Sequence, residues 1–288
     1  GYNLSYLPDV RFLRSNRSLS ETPVLYEPGI VVVIQGRKRG FLGGETYLYD
    51  ALHYLAVSVP VPFTMETDAS EKEPLLAIYF RLDFQLLAEL LVQMDDADES
   101  TRPQTMFATE MDEKMSTSVL RFLEAMSDPM ESKVLGKALL KEIYLRVLIG
   151  DQGASMRAAL RSDGQYGKVA RAIKKIHASY GDKLDVEQLA QEAGMSPPSF
   201  HAHFKVVTAT SPMQYLKSTR LHQARLLMLR NGLTVAVASA QVGYESASQF
   251  SREFKRLFGR SPVEEVARMK SAYSLPDADP SAIYVTSH

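Results

Sequence analysis

The C-terminal third of this chain contains the same residue pattern twice, with the two copies about 50 positions apart. Because a spaced pattern that recurs in register encodes the same supersecondary unit each time, this region must fold as two equivalent pieces. The first copy begins near Asp185 and the second ends at Pro262. The recurring residues are Ser196, Phe200, Phe204, Lys205, Ser211 and Pro212, matched by Ser246, Phe250, Phe254, Lys255, Ser261 and Pro262.

Each copy has the spacing of a helix-turn-helix. A small residue stands four positions before a glycine: Ala190 before Gly194, and Ser239 before Gly243. The small side chain lets a second helix cross closely, and glycine readily adopts the positive φ that turns the chain after the first helix.

The second helix of each unit is predicted to begin at a serine, Ser196 or Ser246, whose hydroxyl can accept a bond from a free N–H of the first turn. Pro197 suits the first helical position, where a missing N–H costs nothing. The paired phenylalanines give each helix an inward face and leave its outward face available to contact a partner. A single unit is nearly as consistent with an ordinary helical hairpin, but two in register favour DNA binding.

The segment from about Val169 to Met269 resembles the tandem helix-turn-helix domain of AraC/XylS-type bacterial transcription regulators. The matching runs are VEQLAQEAGMS, PMQYLKSTRLHQARLLM and QVGYESASQFSREFKRLFGRSP. The rest of the chain matches only in general layout. The resemblance implies a sequence-specific regulator of double-stranded DNA, with RNA polymerase as a candidate partner and an N-terminal domain that binds a small-molecule effector. We assign it as an activator by this resemblance, although the residues leave activator and repressor open.

The charge distribution agrees with this division. From Tyr166 to Lys270 there are 16 Lys and Arg against 8 Asp and Glu, whereas the rest of the chain has 17 basic and 26 acidic residues. A basic block is typical of a domain that neutralises DNA phosphates. The absence of cysteine excludes disulfides and thiolate chemistry, and the charged first 17 residues predict no secretory leader and no membrane partner, so we expect a cytoplasmic protein.

The N-terminal half predicts several short strands, among them the β-branched run from Gly29 to Gly36 and the run from Leu75 to Leu82. Gly43 and Gly44 mark a hairpin turn. The predicted fold class is α+β, with an N-terminal cupin-like β-barrel and flanking helices linked to an all-α tandem helix-turn-helix domain. The predicted domains are a barrel for effector binding and dimerisation at 1–150, a linker at 151–165, the tandem unit at 166–270 and a flexible tail at 271–288.

A long amphipathic helix is predicted at 132–149, with an apolar stripe along one side. The AraC-type layout implies that helices in this place form a homodimer, which we favour. The periodicity alone indicates only burial, and the stripe can equally pack on the barrel. The stripe comprises Leu135, Leu139, Ile143, Tyr144 and Val147.

The outward positions of the two second helices are candidate DNA contacts. Arg252 is the strongest candidate, because a guanidinium can bond guanine O6 and N7 together, and it matches a base-reading position of the family. Ala202 stands at the corresponding position of the first copy, so we expect weaker reading there. The base-reading candidates are Ser199, His201, Ser248, Gln249 and Arg252; the phosphate candidates are Ser196, Lys205, Ser246, Lys255 and Arg256.

The sequence offers no catalytic constellation: the N-terminal half has one histidine, His53, and no clustered metal ligands or phosphate-binding glycine turn. We therefore predict no enzyme, no cofactor and no metal. The alternatives are a cupin-type enzyme with a helical appendage, and a DNA-binding regulator whose barrel serves only protein contacts. Candidate effector contacts inside the barrel are Tyr26, Tyr49, Tyr54 and, as an anion anchor, Arg81.

Overall fold

The β-branched and aromatic runs of the N-terminal part form antiparallel strands, because such side chains pack well on a pleated surface. The computed structural model describes residues 2–94, 101–161 and 164–273. Its strands are β1 (Tyr2–Leu4), β2 (Val10–Ser15), β3 (Leu19–Tyr26), β4 (Gly29–Gln35), β5 (Arg37–Leu42), β6 (Glu45–Asp50), β7 (His53–Val57), β8 (Val61–Asp68), β9 (Leu75–Arg81) and β10 (Met106–Glu110).

These strands lie in two antiparallel sheets that face each other. One has the order β1-β2-β9-β4-β7-β10 and the other β3-β8-β5-β6. Gly43 and Gly44 turn the chain between β5 and β6 with positive φ, as predicted. The α+β fold class is confirmed, with the difference that the sheets do not close into a continuous barrel. The space between them holds an apolar cluster that includes Tyr26, Tyr49 and Phe63.

Helices cover the other face of the six-stranded sheet. They are α1 (Phe84–Met94), α2 (Glu113–Met126), α3 (Pro129–Ile149) and α4 (Gly153–Leu160), the last within the predicted linker. In α3 the predicted stripe is buried against this sheet and α2 at Leu139, Ile143, Tyr144 and Val147, while Leu135 is exposed. The stripe therefore serves the core of its own chain, and these four residues are not a dimer surface.

The basic C-terminal part is all helical. Its helices are α5 (Gln165–Ser179), α6 (Val186–Ala193), α7 (Pro197–Thr208), α8 (Pro212–Asn231), α9 (Val235–Gln241), α10 (Ala247–Phe258) and α11 (Pro262–Tyr273). Phe200 and Phe204 lie in one apolar cluster and Phe250 and Phe254 in another, so each copy of the repeat has its own core. The connecting helix α8 has 20 residues and is therefore about 30 Å long.

Among the described residues, none of the helices combines the length and apolarity needed to cross a bilayer. Most of the predicted tail at 271–288 lies outside the described residues, which end at 273.

Candidate nucleic-acid interface and effector core

The first helix-turn-helix is formed by α6 and α7. Asp185 and Gln188 make a reciprocal capping box at the start of α6, and Gly194 ends it in the left-handed conformation with φ 62°. Ala190 is buried at the crossing of the two helices. The predicted turn glycine and small crossing residue are both confirmed.

The second unit repeats this arrangement with α9 and α10. Gly243 has φ 83°, and a Cβ there would lie 2.5 Å from the carbonyl oxygen of Gly181, so a side chain is excluded on two grounds. Ser246 caps α10 by accepting a bond from the N–H of Gln249 at 3.3 Å. Ser196 begins α7 but makes no capping bond, so that part of the prediction is wrong. The next two residues, Pro197 and Pro198, have no N–H to donate.

The outward faces of both second helices are open to solvent. All of the predicted DNA contacts are exposed except Ser199, which is partly buried. The exposed set comprises Ser196, His201, Lys205, Ser246, Ser248, Gln249, Arg252, Lys255 and Arg256. Neither helix is sealed in the core, and both present these side chains to solvent.

The carboxylate of Glu253 on α10 fixes the neighbouring side chains at one edge of this surface. Glu253 accepts bonds from the Tyr244 hydroxyl (2.8 Å), Gln249 Nε2 (3.2 Å) and Lys217 Nζ (3.3 Å). Burial acts to raise the pKa of Glu253, but these three donors hold its pKa below the usual value. Gln249 is therefore held in place. Arg252 makes no recorded hydrogen bond or ion pair with the residues that the structure describes.

In α7 the residue that corresponds to Glu253 is His203, and it makes its hydrogen bond within its own helix. The His203 ring donates from Nδ1 to the Ser199 carbonyl oxygen at 2.8 Å, and the Ser199 hydroxyl lies 3.4 Å from the same nitrogen. His203 is partly buried, as we expected of a packing residue.

The four predicted effector contacts do not lie together. Tyr26 and Tyr49 meet between the sheets, with their hydroxyls 3.4 Å apart. Tyr54 belongs instead to the cluster between the six-stranded sheet and the helices. The Arg81 guanidinium forms an ion pair with Asp9 at an exposed edge, so its charge already has a partner.

A residue that we did not single out from the sequence, Lys38, lies beside the two tyrosines. It is 2% exposed, stands opposite Tyr49 on β6 and Thr67 on β8, and its Nζ is 5.9 Å from the centre of the Tyr26 ring. Burial lowers the pKa of Lys38 to about 7. The Thr67 hydroxyl is also buried and lacks a partner among the described residues. The burial of Lys38 could have been predicted from strand alternation, because its neighbours Arg37 and Arg39 point outward and the side chain between them must then point inward.

Among the described residues, several hydrogen bonds join the N-terminal module (β1 to α4) to the C-terminal module (α5 to α11), and some of them involve side-chain hydroxyl groups. The Tyr215 hydroxyl on α8 donates to the Pro60 carbonyl oxygen at 2.8 Å. The hydroxyls of Tyr166 and Ser58 are 2.5 Å apart, and the Thr105 hydroxyl donates to the Val207 carbonyl oxygen at the end of α7. The interface therefore reaches both the first reading helix and the connecting helix.

Comparison with known proteins agrees with both modules. Residues 6–155 match the family model of the AraC-type transcriptional regulator N-terminus, and residues 189–268 match a helix-turn-helix domain model. The thermoregulatory protein LcrF of Yersinia pestis is 22% identical over 244 residues, which cover 83% of this chain and 88% of LcrF. The RCS-specific HTH-type transcriptional activator RclR of Escherichia coli is 35% identical over 103 residues, covering 36% of each protein.

A solved structure of unsaturated fatty acid bound wild-type ToxT from Vibrio cholerae shares the fold. Its TM-score is 0.60 at 12% identity, covering 92% of this chain and 96% of ToxT. The N-terminal family model spans more than half of the 288 residues. The chain belongs to the AraC family of DNA-binding transcription regulators.

Proposed function

We propose that this regulator responds to a small organic acid whose carboxylate binds between the two sheets beside Lys38. The observation that carries this proposal is a buried ammonium-bearing side chain for which no acidic partner is recorded among the described residues. Burying an unpaired amine is costly, and a carboxylate ligand would supply the missing anion. The unpartnered Thr67 hydroxyl and the Tyr49 hydroxyl stand beside it as donors.

Two further observations support an organic acid. The remaining surroundings of Lys38 are apolar, which suits a hydrocarbon tail. A fold relative, ToxT, has been solved with an unsaturated fatty acid bound. A ligand between the sheets would change the DNA affinity through its different affinities for two arrangements of the modules.

The test compares oleate with its methyl ester, which lacks the charge. We expect oleate to raise the Tm of the full chain and to change its DNA affinity, while the ester has a much smaller effect. Lys38→Met should abolish both responses to oleate without loss of folding, because it keeps an unbranched side chain only one atom shorter and removes the amine. An equal response of Lys38→Met to oleate would refute the site; a response to no acid in a panel would refute the effector class.

On the DNA side, we propose that Ser248, Gln249 and Arg252 contact base edges, and that Lys255 and Arg256 bind phosphates on either side. In the first unit, His201 and Lys205 take the outer contacts. We keep the predicted domain boundaries at 1–150, 151–165 and 166–270, with α4 in the linker segment, and assign no catalytic activity to either module.

We further propose that the protein is a homodimeric activator that contacts RNA polymerase, with the dimer formed by the outer face of α2 and α3. This face exposes Leu120 (56%), Met130 (75%) and Val134 (70%), unlike the buried side of α3. Val134→Glu should convert the dimer to a monomer in light scattering, whereas Lys133→Glu beside it should have less effect. A monomeric wild-type chain at high concentration would contradict this proposal.

A further inference from the structure

The outward face of α7 carries an apolar stripe. Pro198, Ala202 and Val206 recur every four residues, and all three are exposed, Val206 to 84%. Residues at this spacing lie one above another on a helix. The stripe is on the side opposite the buried Phe200 and Phe204, so it forms the centre of the face that the helix presents to solvent.

The second copy of the repeat places different chemistry at the same three positions. Counting 50 residues along the chain, Ser248, Arg252 and Arg256 replace the stripe, and they are also exposed. The two helices thus occupy equivalent places in the repeat but differ at these three positions, where α10 is polar and cationic and α7 is uncharged. Pro197 and Pro198 also remove two backbone donors from the start of α7.

The major groove contains one apolar group that a small aliphatic side chain can recognise, the 5-methyl group of thymine. The stripe runs about 12 Å along the helix axis, which corresponds to three or four base pairs. His201 and Lys205 lie beside it and are exposed, so polar and phosphate contacts are available at its edge. A protein partner would fit the stripe less well, since the equivalent face of α10 exposes Arg252 and Arg256, which suit DNA.

We propose that α7 reads a thymine-rich half of the operator through its stripe, while α10 reads a guanine-containing half through Arg252. The inference deepens the DNA-binding function and rests on it. Specificity would then come from methyl contacts in one half-site and from hydrogen bonds in the other.

The experiment begins with selection of binding sites from random DNA by the full chain. Thymines of the selected site are then replaced singly by deoxyuridine, which lacks the methyl group and keeps the hydrogen bonds. We expect each replacement in one half-site to weaken binding about three- to fourfold, as for burial of one methylene-sized group. Replacements in the other half-site should have little effect.

Two variants show which helix contacts which half-site. Val206→Thr keeps the shape of the side chain but replaces one methyl group by a hydroxyl, and should reduce the deoxyuridine effect. Arg252→Ala should leave that effect intact and remove the guanine preference. Circular dichroism checks that both variants are folded. Two outcomes would overturn the inference but leave DNA recognition intact. One is specific binding that deoxyuridine does not weaken, and the other is a deoxyuridine effect that is lost only in Arg252→Ala. Failure to select any site would count against sequence-specific binding itself.

Discussion

The Tyr215 hydroxyl donates to the Pro60 carbonyl oxygen across the junction of the two modules, at 2.8 Å. The same hydroxyl oxygen lies 2.7 Å from Nε2 of His177, which is left to donate to it. Tyr215 is on α8, the helix that connects the two DNA-reading units. The position of the effector module is therefore linked to the element that sets the spacing of α7 and α10.

Tyr215→Phe should weaken this junction. The Pro60 carbonyl and the His177 ring each lose a partner, so we expect the free energy of unfolding to fall by about 1–2 kcal/mol in urea titrations. We also expect a smaller effect of oleate on DNA affinity, since the modules are less tightly coupled.

Tyr244→Phe is the matched control. It removes a hydroxyl that donates to Glu253 within the second reading unit and crosses no module junction. It should cost similar stability but leave the oleate response unchanged. Equal responses of the two variants would show that the Tyr215 bond has no part in coupling.

Stability should depend on pH through His177. Burial lowers the pKa of His177 to about 4, while in the unfolded chain it is about 6.5. Between these values the unfolded chain takes up a proton that the folded chain does not. The stability is therefore complete above about pH 6.5 and is lost as the pH falls towards 4.

The expected loss from this residue between pH 7.5 and pH 5 is about 2 kcal/mol. His177→Gln does not titrate and can still donate to Tyr215, so its unfolding free energy should fall by that much less over the same interval. Part of the pH dependence should remain, because His222 is also buried with a strongly lowered pKa. Identical pH profiles for the two proteins would show that His177 is not desolvated.

The ends of α7 and α10 predict opposite effects of exchanging alanine and glycine. Ala209 ends α7 with φ 58°, and Gly259 ends α10 with φ 74°, both in the left-handed region. An L-residue is strained there by about 1 kcal/mol or more. Ala209→Gly should therefore stabilise the chain by about 0.5–1 kcal/mol, even after the extra freedom of glycine in the unfolded state.

Gly259→Ala should destabilise the chain by about 1 kcal/mol, because it introduces the same strain; a Cβ there meets no atom within 4 Å, so no clash adds to the effect. The urea midpoints of the two single variants and of the double variant, compared with that of the wild type, measure both effects. Two changes of the same sign would contradict this account of the helix ends.

The sequence predicts the reading units well because their signals are local. Gly194 and Gly243 are placed by the turn that follows a short helix, and the phenylalanine pairs by helical periodicity. The inward direction of Lys38 also follows from alternation along β5, yet its lack of an acidic partner depends on how β6 and the later strand β8 pair with β5. Contacts such as Tyr215 with Pro60 have no local signal, since they join surfaces 155 positions apart.

The α3 stripe shows the same limit. Helical periodicity correctly indicates that Ile143 and Val147 are buried, but it does not tell a partner chain from the sheet of the same chain. Likewise, tyrosine content marks Tyr26, Tyr49 and Tyr54 equally, although Tyr54 faces the helices and the other two lie between the two sheets.

Arg252 and Lys255 should differ in how they contribute to DNA binding, although both are exposed cations on α10. Arg252→Ala should weaken binding to the selected site about 5- to 150-fold and relax the preference for guanine at one position, as expected for loss of a bidentate base contact. Lys255→Ala should weaken binding to specific and random DNA by similar factors and reduce the slope of log affinity against log salt by about 1. Lys72→Ala, on an exposed loop of the N-terminal module, removes an equal charge and should change neither quantity. Titrations at several salt concentrations separate the three cases, and a purely salt-dependent loss for Arg252→Ala would place this arginine on the phosphate backbone instead of a base.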